Sequence, residues 1–144
     1  MNEQIPEFNT PLGLMRWIGW AQRKAGEDWI RERELTHEQA FVLGYLVQNP
    51  GAIQRDIADI SRTTPASVSS LLQGLERAEL IERRTEERSK RVYATDKGAQ
   101  LIDGFAASMT AVDDAILAPL NNDERETLHA LLTKITAELA PVSR

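Results

Sequence analysis

Thr63, Thr64, Ser67, Ser69, Ser70 and Gln73 place short hydroxyl and amide side chains close together, and Arg83, Arg84, Arg88, Lys90 and Arg91 follow soon after. The first group can donate and accept hydrogen bonds at close range, as the base edges of a DNA major groove require. The second can pair with phosphates or enter a minor groove, where the negative potential is high. Covalent chemistry has no comparable set. His37 and His129 are the only histidines and lie in different helices on opposite sides of the charged hairpin, and there is no cysteine. A zinc site, a thiolate nucleophile, a disulfide framework and a thiol redox switch are therefore not expected. No nucleophile elbow, phosphate loop, glycine fingerprint or HExxH run occurs. Acid pairs such as Asp113-Asp114 and Asp123-Glu124 fall at helix surfaces or starts, where they favour the helix dipole. The chain reads as a non-enzyme without cofactor or metal.

Two elements must carry these groups. Val68, Leu71, Leu72 and Leu75 fall at i, i+3, i+4 and i+7, the spacing of one buried helical stripe. Thr63, Ala66, Ser70 and Gln73 lie opposite that stripe, with Ser67 and Ser69 on its flanks. Thr64 sits where an N-cap belongs and Pro65 at the first helical position. Residues 80–85 and 91–95 then read as two short strands around a charged tip, Glu86-Glu87-Arg88-Ser89-Lys90. A preceding helix over about residues 53–60 and a tight connection through 61–63 complete a helix–turn–helix with a wing. Arg55 and Arg62 are placed to touch phosphates, a role whose composition a solvated arginine would share.

This stretch resembles the multiple-antibiotic-resistance regulator (MarR) family of bacterial transcription factors. The resemblance rests on Gln54-Arg55-Asp56-Ile57-Ala58, residues 64–76, Leu80-Ile81-Glu82-Arg83, the wing Arg88-Ser89-Lys90-Arg91-Val92-Tyr93 and the exit Thr95-Asp96-Lys97-Gly98. It implies a homodimer bound to a pseudo-palindromic operator on double-stranded DNA, acting as a repressor. It further implies release by a small aromatic or anionic effector held between the dimerisation helices and the DNA-binding lobe. The candidate DNA contacts are Arg55, Arg62, Thr63, Thr64, Pro65, Ser67, Ser69, Ser70, Gln73, Arg84, Arg88, Lys90 and Arg91. Candidate effector residues are Arg16, Trp17, Trp20, Trp29 and Tyr45. The chain departs from the family at Glu86, where Asp is usual, at Glu87, where a second Arg is commoner, and at Ser70, where Arg is frequent. Two rivals stand beside this reading: a winged helix used only to bind protein, and a regulator without an effector.

The remaining chain supplies the frame. The 144 residues read as one domain, mainly α with a small two- or three-stranded β-wing. A DNA-binding lobe is expected over about residues 36–98, with dimerisation helices over about 11–35 and 99–144. Ile5 and Phe8 are possible anchors of an N-terminal arm, with Pro6 and Pro11 as breakers. Leu12, Leu14, Met15, Trp17, Ile18, Trp20 and Ala21 make the next helix apolar around most of its circumference, which suggests a partner surface. Thr36 and Gln39 form a capping box before a helix expected to turn Phe41, Val42, Tyr45 and Leu46 inward. Asn49-Pro50-Gly51 ends it. Thr95 caps a helix over residues 96–117, with Leu101, Ile102, Phe105, Met109, Val112 and Ile116 as its stripe and Pro119 as its stop. Asn122 is expected to cap the last helix, with Leu128, Leu131, Leu132, Ile135 and Leu139 on one face. The formal net charge of −5 lies outside the reading head. Residues 53–98 hold nine Lys/Arg against eight Asp/Glu, while the rest holds eight against fourteen. That balance permits specific DNA binding and predicts weak non-specific binding. No apolar run is long enough for a membrane span and no apolar leader is visible, so a cytoplasmic protein with no membrane partner is expected.

Overall fold

The computed structural model describes residues 8–139. Among these, five of six helices begin where a side chain accepts from one of the four backbone N–H groups that a helix start leaves unpaired. Thr10 caps α1 (Pro11–Glu32), Thr36 caps α2 (His37–Gln48), Thr64 caps α4 (Pro65–Arg77) and Thr95 caps α5 (Asp96–Leu117). The exception is α3 (Gln54–Ser61), entered directly from a strand at Ile53. The last helix, α6 (Asn122–Thr136), is capped by Asn121 rather than Asn122. Asn121 accepts from Glu124 N and donates its own N–H to the Glu124 carboxylate, a reciprocal box that fixes the start one residue earlier. Ile5 and Pro6 lie outside the described residues, and Phe8 packs against Trp17 with ring centroids 6.0 Å apart.

Three strands form one antiparallel sheet in the order β1-β3-β2, from β1 (Ala52–Ile53), β2 (Ile81–Glu86) and β3 (Ser89–Ala94). The five-residue tip expected for the hairpin is shorter. Glu86 pairs with Ser89 and Thr85 with Lys90, leaving only Glu87 and Arg88 in the turn, at φ of 52° and 70°. A two-residue turn with both centres at positive φ matches the right-handed twist of its strands. That fit outweighs the local cost of placing two bulky residues there.

The buried core lies in the winged lobe. Val68, Leu72 and Leu75 from α4 meet Val42, Leu43 and Leu46 from α2, Ile57 from α3, Leu80 and Ile81 at the start of the hairpin and Val92 from β3. The α2 face differs from the expected one: Leu43 is fully buried, whereas Phe41 is 51% exposed. The reason is that α2 is covered by α4 on the Val42/Leu43/Leu46 side, and Phe41 opens onto a groove toward α5.

One close approach fastens the lobe to α5. Thr95 N–H donates to Leu80 O at 2.9 Å, and the Thr95 hydroxyl donates to Glu79 O at 2.7 Å. The Lys97 ammonium reaches Ala78 O at 3.1 Å, and Gly98 lies directly beneath Leu80 O. Further along, α5 packs on α1 through Trp29 and Phe105, edge to face at 5.3 Å, and through Gln22 donating to Asp113 at 2.9 Å. By contrast, α6 has no buried residue. Its Leu131 and Ile135 are exposed, as are Leu139 just beyond its end and Leu12, Leu14, Ile18 and Trp20 of α1.

Candidate nucleic-acid interface

The stripe of α4 buries Val68, Leu72 and Leu75 and so turns the opposite face outward. Thr63, Thr64, Pro65, Ser67, Ser70 and Gln73 are exposed there, while Ser69 is half-buried at the edge. Thr64 and Ser67 support each other at the helix start. Ser67 N–H donates to the Thr64 hydroxyl oxygen at 3.1 Å, and that hydroxyl donates to Ser67 Oγ at 3.0 Å. Both oxygens keep acceptor capacity toward a ligand. The side chains of Ser70 and Gln73, one turn apart further along, make no hydrogen bond among the described residues. Arg55 is exposed on α3, and Arg62 is exposed at its C-terminus in the left-handed region, φ 54°, where the chain turns into the reading helix.

The sheet sorts the wing cations by face. Cross-strand partners share a face, so Glu82 and Tyr93, Arg84 and Arg91, and Glu86 and Ser89 project together, while Arg83, Val92, Thr85 and Lys90 project on the other. On the first face the polar groups are joined to one another. Arg84 Nε lies 2.6 Å from the Glu82 carboxylate, and its guanidinium sits 4.2 Å above the Tyr93 ring. Arg91 Nη1 donates to Gly51 O at 2.9 Å, and the Tyr93 hydroxyl donates to Glu86 Oε1 at 2.9 Å. The bond to Glu86, then burial, holds the Tyr93 phenol above its ordinary range, and the bond to Glu82 does the same for the Arg84 guanidinium. Arg83 ties the hairpin to α4 through Glu76 at 2.9 Å. Arg88 at the tip and Lys90 beside it are exposed, and neither has an ion pair among the described residues. The four wing cations of the candidate set are thus divided. Arg88 and Lys90 face outward without partners, and Arg84 and Arg91 are engaged within the wing and its base.

The five candidate effector residues do not converge. Trp29 and Tyr45 line one groove of about 590 Å³ between α1, α2 and α5. Arg16 and Trp20 line a separate surface depression with Phe8 and Leu12. Trp17 stacks near Phe8. The groove recruits residues that sequence spacing assigned to core stripes, Phe41 and Phe105, together with His37 and Asp103. Only the crossing of three helices brings them together. Among the described residues no group of three or more His, Cys, Asp or Glu could hold a metal ion, and no helix is long and apolar enough to cross a membrane.

Comparison with known proteins agrees with this geometry. The MarR family profile matches residues 34–92. The HTH-type transcriptional regulator YybA of Bacillus subtilis is 23% identical over 109 residues, covering 74% of this chain and 73% of YybA. MepR, a transcription regulator of the Staphylococcus aureus multidrug efflux pump MepA, is 32% identical, superimposes with a TM-score of 0.79, and covers 91% of this chain and 99% of its own. MepR has also been solved bound to DNA and bound to ethidium bromide. A structure described as a MarR family transcriptional regulator from Clostridium acetobutylicum is 34% identical, with a TM-score of 0.77, covering 88% of this chain and 95% of its own. With its winged helix–turn–helix, its exposed hydroxyl-rich reading helix and these likenesses over nearly its whole length, the chain belongs to the MarR family of transcriptional regulators.

Proposed function

We propose that the protein is a homodimeric repressor that binds a pseudo-palindromic operator and releases it when a small ligand enters the α1/α2/α5 groove. The observation that carries the DNA reading is the pairing of two exposed features: the Thr63–Gln73 face of α4 and the outward Arg88 at the tip of a two-residue wing turn. In this arrangement Thr63, Thr64, Pro65, Ser67, Ser70 and Gln73 meet major-groove base edges, Ser69 stays at the margin, and Arg88 enters the adjacent minor groove. Arg55, Arg62 and Lys90 meet phosphates. The DNA-bound form of MepR supports this use of the fold. The exposed apolar faces of α1 and α6 support the dimer, whose two-fold axis would set the reading helices about one DNA turn apart, roughly 34–36 Å.

Binding to the DNA flanking the protein's own gene tests the proposal. The wild type is expected to footprint a short palindrome and to lose affinity steeply with salt. Arg88→Ala is expected to weaken binding about 10–100-fold and to flatten the salt slope by about one unit. Binding no better than to random DNA, at low salt and across a genome-wide pull-down, would overturn the reading.

The groove also narrows the effector class. Trp29, Phe41, Tyr45 and Phe105 offer aromatic faces, and among the described residues Asp103 is the one carboxylate on the lining and no Lys or Arg lines it. Of the aromatic or anionic effectors that the family resemblance implies, the groove suits an aromatic one, and a planar aromatic cation fits better than an anion; ethidium-bound MepR supports the same class. In a thermal-shift titration, ethidium is expected to raise the melting temperature and benzoate is not. Asp103→Asn should weaken ethidium about tenfold, the order of one charge-assisted contact. Equal response to both ligands, or none, would remove the assignment.

A further inference from the structure

The wing arginine can read a minor groove only if the hairpin is held at the right angle to α4, and the polar face of the hairpin is fastened at its base. We infer that Tyr93 and Glu86, with Arg91, are positioning residues for Arg88: they staple the wing to the turn at Gly51 and so set where its tip meets DNA. This rests on the operator-binding reading above.

Gly51 is the anchor. It sits at φ 81°, a left-handed conformation that glycine adopts without cost, and its N–H donates to Val92 O at 3.0 Å. Its carbonyl accepts from Arg91 Nη1 at 2.9 Å. The Tyr93 ring lies on its α-carbon so closely that a β-carbon there would stand 3.1 Å from the phenol oxygen. The anchor itself is rigid, because Asn49 closes α2 with both its backbone and side-chain amides on Tyr45 O at 2.9 Å, and Ala52 N–H donates back to Asn49 O at 3.2 Å. From Gly51 the connection runs outward. Tyr93 spans the hairpin to Glu86, the last paired residue before the Glu87-Arg88 turn, and Arg91 Nε approaches the same Glu86 carboxylate at 4.0 Å. Glu86 is thus the point at which the base of the wing grips its tip.

The sign of one effect separates positioning from simple charge. Glu86 is an anion one residue from the turn that approaches DNA. If its charge alone mattered, removing it would tighten binding by reducing repulsion with phosphate. If it positions Arg88, removing it weakens binding, and the isosteric Glu86→Gln, which can still accept from Tyr93, restores most of the loss. The same logic applies to Tyr93→Phe, which keeps the ring on Gly51 and deletes only the hydroxyl.

The decisive experiment is a double-mutant cycle on the full-length protein, read as operator affinity with melting temperature as control. Tyr93→Phe and Glu86→Ala are each expected to weaken operator binding about threefold to tenfold in the wild-type background, the order of one lost hydrogen bond. Neither should weaken it further in an Arg88→Ala background, since the group they orient is gone. Glu86→Gln should bind within about twofold of the wild type if the acceptor is what counts. The salt slope should stay unchanged in Tyr93→Phe, which contacts no phosphate. Equal losses in both backgrounds, or tighter binding by Glu86→Ala, would overturn the inference while leaving the operator reading intact. A wild type without operator preference would sink both, and the two failures are told apart by that first measurement.

Discussion

Replacing Gly98 with alanine is expected to lower the melting temperature by about 10 °C or more. A β-carbon at this position would stand 2.3 Å from Leu80 O and 3.1 Å from Leu43 Cδ1. The first obstacle is backbone and cannot swing aside. Leu80 O also accepts from Thr95 N–H at 2.9 Å, so moving it loosens the joint at which α5 leaves the lobe. Leu43 is fully buried, so the second obstacle presses on the core. Overpacking of this kind costs about 1–3 kcal/mol and more where backbone must shift, and at this chain length each kcal/mol moves the melting temperature by several degrees. Gly44→Ala supplies the contrast. Nothing lies within 4 Å of its added β-carbon, so a helical alanine there should raise stability by about 0.5–1 kcal/mol. A Gly98→Ala protein that melts within a degree or two of the wild type would show that the joint yields easily.

The second large effect concerns assembly. Leu131→Glu combined with Ile135→Glu is expected to convert the proposed dimer to a monomer by light scattering and to weaken operator binding by at least about a hundredfold. No residue of α6 is buried within the chain, and Leu131 is 54% exposed, so neither change removes support from the lobe core. They place two carboxylates on the face that, in the proposed dimer, is closed by a second copy. Once the half-sites are read by separate molecules, the gain from linkage, which reaches 10²–10⁴-fold, is lost. The circular dichroism of the lobe should remain near wild type. A double variant that stays dimeric would move the interface away from α6.

Both predictions trace to features with different visibility in the sequence. The helix starts were legible because a cap is local. Thr36 with Gln39, Thr64 with Pro65 and Thr95 each announce a boundary within four residues. The same locality misled by one residue at Asn121-Asn122, where two equivalent caps stand side by side and the Glu124 partner chooses between them. The reading helix was legible because Val68, Leu72 and Leu75 repeat at helical spacing, and their burial turns the hydroxyl face outward. Glycine 98 carried no such signal, since its close neighbour Leu80 O is set by how the hairpin packs on α5.

The sequence by itself therefore determined the order of the helices and the hairpin, the winged helix–turn–helix and the residue types offered to DNA, because periodicity, capping and turn chemistry act over a few residues; the short β1, read as the start of a helix at Ile53, is set by its pairing with β3. Tertiary structure alone decided which wing cations remain available. Arg84, Arg88, Lys90 and Arg91 look equivalent in a list of charges. Strand register assigns Arg84 and Arg91 to the face that carries Glu82, Glu86 and Tyr93, and leaves Lys90 on the other. The two-residue turn then puts Arg88 at the tip. It was likewise the crossing of α1, α2 and α5 that joined Trp29, Phe41, Tyr45, Asp103 and Phe105 into one groove and left Arg16, Trp17 and Trp20 elsewhere. Register and helix crossing depend on contacts between residues far apart in the chain, and no local pattern encodes those distances.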